Sequence, residues 1–381
     1  MIIEKIKSMD WETVITKGNK KIHDIHPYFA KFPSEIPSYF IKLLTLQGDT
    51  VLDPYCGSGT TLVEAKRLNR NSIGIDANPI SCLMSKVKTY YLGNSEIEKI
   101  YELLNLIENS KINYGDTTNS ISFHNKDYWF DTHVQEEIEY ILSKINNINN
   151  NKFQDILNLA LSRIIVKSSN QQGESRYKRV QKNIKKGETI QMFIDHARYI
   201  IESLFNFNSK LSGKPTVKVY NKDTRDIIFL EPQSVNLIVT SPPYLNSWDY
   251  GLYHKFRFKW LNLDVNAYEK IEIGRHLRRE GDVIDRYKED MGACLNGFSR
   301  VLKRKAYCVI VNANSMVNSI QIDTNQIITE CAQNYGLRLI ESFDKKVFGP
   351  HFGLRAMHKS TGKNSTPSSQ KMEQILIFQK E

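Results

Sequence analysis

Ser241, Pro242, Pro243 and Tyr244 follow directly on an apolar run that contains Val235, Leu237, Ile238 and Val239. The run reads as a buried parallel strand, and Ser-Pro-Pro-Tyr stops it abruptly. Two consecutive prolines remove two backbone donors and fix φ, so the chain there continues neither a central strand nor a helix. What remains is a stiff turn at a strand's carboxyl end, the edge where open α/β sheets bind ligands. It offers a hydroxyl, free carbonyls and an aromatic ring. Such a set suits chemistry on a flat group that carries an exocyclic amine. Carbonyls and the Ser241 hydroxyl would accept the amine hydrogens, and Tyr244 would stack on the ring. The same residues also suit a plain Pro-Pro loop over a half-buried tyrosine.

A second constellation lies near the amino terminus. Thr50-Val51-Leu52-Asp53 is a short apolar strand that runs into Pro54-Tyr55-Cys56-Gly57-Ser58-Gly59-Thr60-Thr61. A helix follows with Leu62, Ala65 and Leu68 on one side. The glycines let backbone approach a ligand, and helix-start amides beside them are hydrogen-bond donors. No Gly-Lys-Ser/Thr follows, so this is not a Walker loop, and the third glycine of Gly-x-Gly-x-x-Gly is absent. Asn71–Asp76 supplies the next strand. Its terminal acid, Asp76, lies about 20 residues beyond the turn, where a ribose-binding carboxylate is expected; it would equally cap a helix at Asn78-Pro79-Ile80. Asp223 ends another strand, Val217–Tyr220. It is placed either to reach a ligand or to cap a turn.

These residues need elements to hold them. The chain has 381 residues, enough for one large domain or two modest ones. Lys+Arg 52 against Asp+Glu 42 gives 52 − 42 = +10, a balance that suits an anionic partner such as nucleic acid. No apolar run approaches the ~20 residues of a membrane span, and the amino terminus lacks a signal-peptide pattern. The 5 cysteines are scattered without a Cys-x-x-Cys pair, which argues against a disulfide framework or a zinc site and makes a reducing cytoplasm the default.

Residues 94–213 change pattern. Apolar residues at helical spacing recur from Tyr101 to Ile107, from Val134 to Ile145 and from Phe153 to Ile164, which predicts a mainly helical insertion between two α/β parts, 1–93 and 214–381. Inside the insertion, Arg176, Lys178, Arg179, Lys182, Lys185 and Lys186 form a basic cluster, readable as phosphate contacts or as a solvated loop. The rings from Tyr253 to Trp260 read mostly as core. A loop with Arg355, His358, Lys359 and Lys363 joins the last two strands and could lie against an anionic surface.

Asp53-Pro-Tyr-Cys-Gly-Ser-Gly-Thr-Thr61 together with Thr240-Ser-Pro-Pro-Tyr244 resembles the two signature motifs of the S-adenosylmethionine-dependent amino-methyltransferases of DNA, the N4-cytosine and N6-adenine enzymes of restriction–modification systems. The resemblance covers residues 23–90 and 215–380, with Tyr55 standing where that family has phenylalanine. It implies a Rossmann-like mixed sheet, mostly parallel with an antiparallel last strand, and helices on both faces. It implies S-adenosylmethionine as cofactor. The contacts would come from His26, Tyr28, Phe32 and Pro33 in a proline-rich strap, from Asp53, Pro54, Tyr55, Gly57, Ser58, Gly59, Thr60 and Thr61, and from Asp76, Ala77, Asp223 and Ser241. Ser241, Pro242, Pro243 and Tyr244 would be catalytic, on double-stranded DNA, with no metal and with a separate restriction endonuclease as a possible companion. Serine in place of aspartate at 241 is more typical of the N4-cytosine enzymes. An N6-adenine enzyme, an RNA methyltransferase and a catalytically silent DNA-binding partner are the other readings. The long insertion departs from a compact family member and is where target recognition is expected.

Overall fold

The computed structural model describes residues 4, 6, 21–29, 31, 33–115, 120–174, 176–246, 249–275, 283–318, 320–346 and 372–381, with only the backbone of residues 176, 345, 346 and 372. Phe32 and the basic loop from Arg355 to Lys363 lie outside the described residues.

Seven strands make the central sheet: β1 (Thr50–Asp53), β2 (Asn71–Asp76), β3 (Val217–Asn221), β4 (Val235–Thr240), β5 (Leu302–Asn312), β6 (Leu337–Lys346) and β7 (Met372–Lys380). Their order is β3-β2-β1-β4-β5-β7-β6. β1 pairs parallel with β2 and β4, β2 with β3, and β4 with β5, whereas β7 runs antiparallel to both β5 and β6. The sheet is therefore mostly parallel with an antiparallel last strand. Val235, Leu237, Ile238 and Val239 are all fully buried, as expected of a strand covered on both faces. The chain reverses direction of winding between β1 and β4, so the crevice outside their carboxyl ends is the ligand position for such a sheet.

Helices α1 (Glu35–Leu44), α2 (Thr60–Arg67) and α3 (Pro79–Thr89) flank the amino-terminal strands. α3 starts where local chemistry says it should: Asn78 Oδ1 accepts from Ile80 N at 2.9 Å, and Pro79 occupies the first turn.

The region 94–213 contains α4 (Asn94–Asn109), α5 (Lys126–Trp129), α6 (Thr132–Asn146), α7 (Asn151–Ser168) and α8 (Glu188–Asn208). These helices do not close on a core of their own. Ile156, Leu157, Ala160, Leu161 and Ile164 of α7 join one apolar cluster with Ile22 and Ile25 of the strap and with Ile80, Met84 and Val87 of α3. The same cluster takes in Phe256, Phe258 and Trp260 from α10 (Lys255–Trp260), which follows the short α9 (Tyr250–Tyr253). The fully buried Arg257 reinforces this join, donating from Nε to the Ser162 carbonyl at 3.0 Å and from Nη2 to Glu174 at 2.7 Å. The basic cluster is part of a hairpin, with Gln171–Gly173 antiparallel to Arg176–Arg179. α11 (Val265–Ile271), α12 (Val283–Val301) and α13 (Thr324–Gln333) complete the chain. Among the described residues no helix is long and apolar enough to cross a membrane.

Candidate active site

β1, β2 and β4 end at Asp53, Asp76 and Thr240, and the turns that leave them face one cleft. Tyr55, Gly57, Ser58 and Thr60 line it from the first turn, Asp76 and Ala77 from the second, and Ser241, Pro242, Pro243 and Tyr244 from the third. Asp223 and Thr224, just after β3, close a further side. The two motifs, about 180 residues apart in the chain, thus meet because their strands are neighbours in a parallel sheet. Thr240 Oγ1 donates to Asp53 Oδ1 at 2.6 Å and ties the two strand ends together.

The glycine turn is shaped by close approach. Gly57 has φ +47°, and a Cβ there would come to 3.0 Å from the Tyr28 ring. Gly59 has φ +81°, and a Cβ there would sit 2.9 Å from Ser85 Cα. Either substitution combines a strained backbone with a collision. Asp76 braces the turn, Oδ2 accepting from Gly57 N and Oδ1 from Asn78 N, both at 2.8 Å. Burial pushes its carboxyl up to about 7 against the pull of those two amides. Asn78 is the cap of α3, so Asp76 is left facing the cleft. Asp53 is wholly buried beneath the turns, and burial pushes it to about 6.

The strap contributes Tyr28, which stacks on Tyr250 with ring centroids 5.4 Å apart. Lys31 reaches the cleft while bonded to the His23 carbonyl and Asp24. Tyr268 and Glu272 form the opposite wall. Glu272 Oε1 accepts from Tyr250 N at 2.8 Å and Tyr268 Oη at 3.0 Å, while its buried Oε2 has no hydrogen-bond partner among the described residues. Burial, followed by the charge of Asp249, pushes this carboxyl to about 7. Tyr268 and Glu272 lie in no sequence motif, and Lys31 and Tyr250 lie in the strap and in the stretch after the Pro-Pro turn without a role of their own in the sequence reading; their meeting in space marks them.

Other residues expected at the cofactor lie elsewhere. His26 is buried against α7, with Nε2 2.9 Å from Ser162 Oγ and Nδ1 2.8 Å from the Pro27 carbonyl. It fixes the strap to the insertion rather than lining the cleft. Pro33, Pro54, Gly59 and Thr61 also do not line it; the Pro54 carbonyl accepts from Thr224 Oγ1 at 2.5 Å, and Thr61 Oγ1 donates to the Val239 carbonyl at 3.3 Å. Cys56 is buried yet borders the cleft, and burial pushes its thiol well up. Asp223 lines the cleft, but Arg225 already pairs with it at 2.5 Å.

In the basic hairpin, Tyr177, Lys178 and Arg179 are exposed, as are Lys185 and Lys186 further on. Lys182 is spent internally, its Nζ donating to the Val166 and Lys167 carbonyls at the carboxyl end of α7. Among the described residues no group of three or more His, Cys, Asp or Glu is placed to hold a metal.

Parallel rings, carboxylates and turn amides suit a ligand with a flat base, hydroxyls and a positive charge. S-Adenosylmethionine carries all three. Tyr28, Tyr250 and Glu272 would hold the flat and cationic parts, and Asp76 the ribose hydroxyls.

Comparison with known proteins points the same way. The family model described as DNA methylase, for N6 and N4 methyltransferases, matches residues 4–87. The type II methyltransferase M.MjaII of Methanocaldococcus jannaschii is 37% identical over 114 residues, 28% of this chain and 22% of that protein. M.MvaI of Kocuria varians is 24% identical along 96% of this chain and 92% of its own. M.BsoBI of Geobacillus stearothermophilus is 26% identical over 69% of this chain and 57% of its own length. The chain therefore spans nearly all of one such relative but well under two thirds of the other two. Sheet order, cleft and motif pair define a Rossmann-like fold of the methyltransferase type. The chain is similar to the S-adenosylmethionine-dependent amino-methyltransferases of the DNA-methylase kind, through a family match over residues 4–87 and relatives that are 24–37% identical to it.

Proposed function

We propose that the protein methylates the exocyclic N4 amine of cytosine in double-stranded DNA. The observation that carries this reading is that Ser241 and Tyr244 share one cleft with Gly57 and Asp76. When bound, S-adenosylmethionine supplies an electrophilic methyl group on a sulfonium, with a neutral thioether as leaving group. The chain's own residues then have to bind, orient and exclude water. A base inside a duplex hides its amine in the stack, so it has to be turned out before it can enter the cleft. Tyr244 gives the extruded ring a stacking face. Ser241 Oγ and the Pro242 carbonyl accept the amine hydrogens and aim the nitrogen lone pair. Tyr287 Oη donates to the Pro243 carbonyl at 3.2 Å, which anchors the turn from α12. Positioning of this kind is worth several orders of magnitude where the leaving group is already good.

Cytosine rather than adenine is supported by serine at position 241. The exposure of Lys178, Arg179, Lys185 and Lys186 and the excess of 10 positive charges support reading this face as one that contacts phosphates.

Incubation with methyl-labelled S-adenosylmethionine and unmethylated bacterial DNA, followed by digestion and separation of nucleosides, tests the reading. Label in N4-methylcytosine is expected. Label in N6-methyladenine would keep the class and correct the base. Label in RNA alone, or donor binding without turnover on any nucleic acid, would overturn the assignment.

A further inference from the structure

Ser241 poses a difficulty that an aspartate in its place would not. To orient an amine as proposed above, the group at position 241 has to accept hydrogens. An ionised carboxylate can only accept, but a hydroxyl carries a proton of its own and is as ready to donate. That proton has to be directed away from the substrate.

The path for it runs across the sheet. Ser241 Oγ donates to Tyr244 Oη at 3.3 Å, and Tyr244 Oη donates to Glu373 Oε1 at 3.2 Å. Glu373 stands on β7 and is 5% exposed. As a carboxylate it accepts only, so the phenol must donate to it, and the phenol oxygen is then left to accept from the serine. β7 is registered on β5 through Gln374 and Asn312, and β5 on β4 up to Ile310 and Thr240. The carboxylate and the catalytic turn are thus held by strands two positions apart in one sheet. Burial, reinforced by the Glu373 charge, raises the Tyr244 phenol well above its ordinary range, so it keeps the proton it donates.

We propose that Glu373 is a positioning residue that acts through the Tyr244 hydroxyl to make Ser241 a one-way acceptor for the target amine. The proposal rests on the methyl-transfer reading of the site and adds to it a residue from the other end of the chain. It also gives the hydroxyl of Tyr244 a task separate from that of its ring.

The test compares kcat and donor Kd for Glu373→Gln, Tyr244→Phe and the double variant, each also in a Ser241→Asp background. Glutamine keeps the shape but its amide can donate back to the phenol. Glu373→Gln is expected to lower kcat about ten- to a hundredfold, the range for a lost hydrogen bond to a charged group. Its donor Kd should stay within roughly twofold of the parent. Added to Tyr244→Phe, the same change should alter kcat by less than roughly twofold, because its route is already cut. Added to Ser241→Asp, it should also be nearly silent, since a carboxylate has no proton to direct. Losses that multiply in the double variant, or equal losses with aspartate at 241, would overturn the relay. A fluorotyrosine at position 244 gives a second measurement that needs no turnover. Its fluorine resonance in the free protein should shift with both Glu373→Gln and Ser241→Ala, and a signal unmoved by either overturns the proposal. If the parent protein methylates nothing, the functional reading fails, while that resonance still decides whether the three groups are connected.

Discussion

Burial pushes the carboxyls of both Asp76 and Glu272 to about 7, and each faces the cleft. For a group raised in this way the charged form is disfavoured until the pH passes the raised value. If ionised Asp76 receives donor hydroxyls, donor affinity should rise as pH is taken from 6 to 8 and level off above that. Calorimetry at several pH values checks it. Asp76→Asn should weaken binding and flatten the curve, leaving a residue of slope from Glu272; a curve identical to that of the parent would remove Asp76 from the donor site. Tyr244→Ala separates the two halves of the cleft. It should abolish measurable turnover while leaving donor Kd nearly intact, because Tyr244 belongs to the base side. Equal loss of donor binding would sink that division of labour.

At the scale of elements, α10 decides whether the insertion is an attachment or a structural member. Trp260 is wholly buried and packs edge-on against Phe123 and Phe130, with centroids 5.6 and 5.3 Å away. Those two rings come from the insertion and Trp260 from the segment that follows the Ser-Pro-Pro-Tyr turn. Truncation there removes a large buried side chain, so Trp260→Ala should cost about 3–5 kcal/mol of stability by denaturant unfolding. A loss below about 1 kcal/mol would mean that the cluster re-forms without it. Because Phe256 and Trp260 share a cluster with α7, disturbing the insertion should also disturb the wall formed by Tyr250. In the same way, the strap that carries Tyr28 is fastened to the insertion through His26 and folded on itself through Lys31.

The whole molecule carries 52 − 42 = 10 excess positive charges, and part of that excess is displayed on the hairpin and the turn after it. Replacing Lys178, Arg179, Lys185 and Lys186 by glutamine should weaken DNA binding. It should also lower the slope of log K against log salt by up to about 3–4, since each neutralised phosphate contributes about 0.9. An unaltered slope would make the hairpin a solvated surface. Lys182 is the internal control: it is bonded to the end of α7, so its loss should act on stability before it acts on the salt slope.

Much of this was legible along the chain. Prolines at 242 and 243, glycines at 57 and 59 and the acid at 76 act through their own backbone or the next few residues, so the turns could be read from composition and spacing. The apolar runs before them marked the strands, and periodicity marked the insertion helices. The remaining features depend on which strand lies beside which. Glu373 meets Tyr244 through the register of β7 on β5. Tyr28 finds Tyr250 only after segments more than 200 residues apart have packed, and Glu272 joins the cleft wall through Tyr250 and Tyr268. His26 was expected at the cofactor, and its burial against Ser162 puts it in the core and not in the cleft. Local sequence determined that this protein has a glycine turn and a Pro-Pro turn at strand ends, because φ limits and missing donors are properties of the residue itself. Tertiary structure alone decided which side chains complete the site, because a buried polar group takes its role from the partner that packing brings to it.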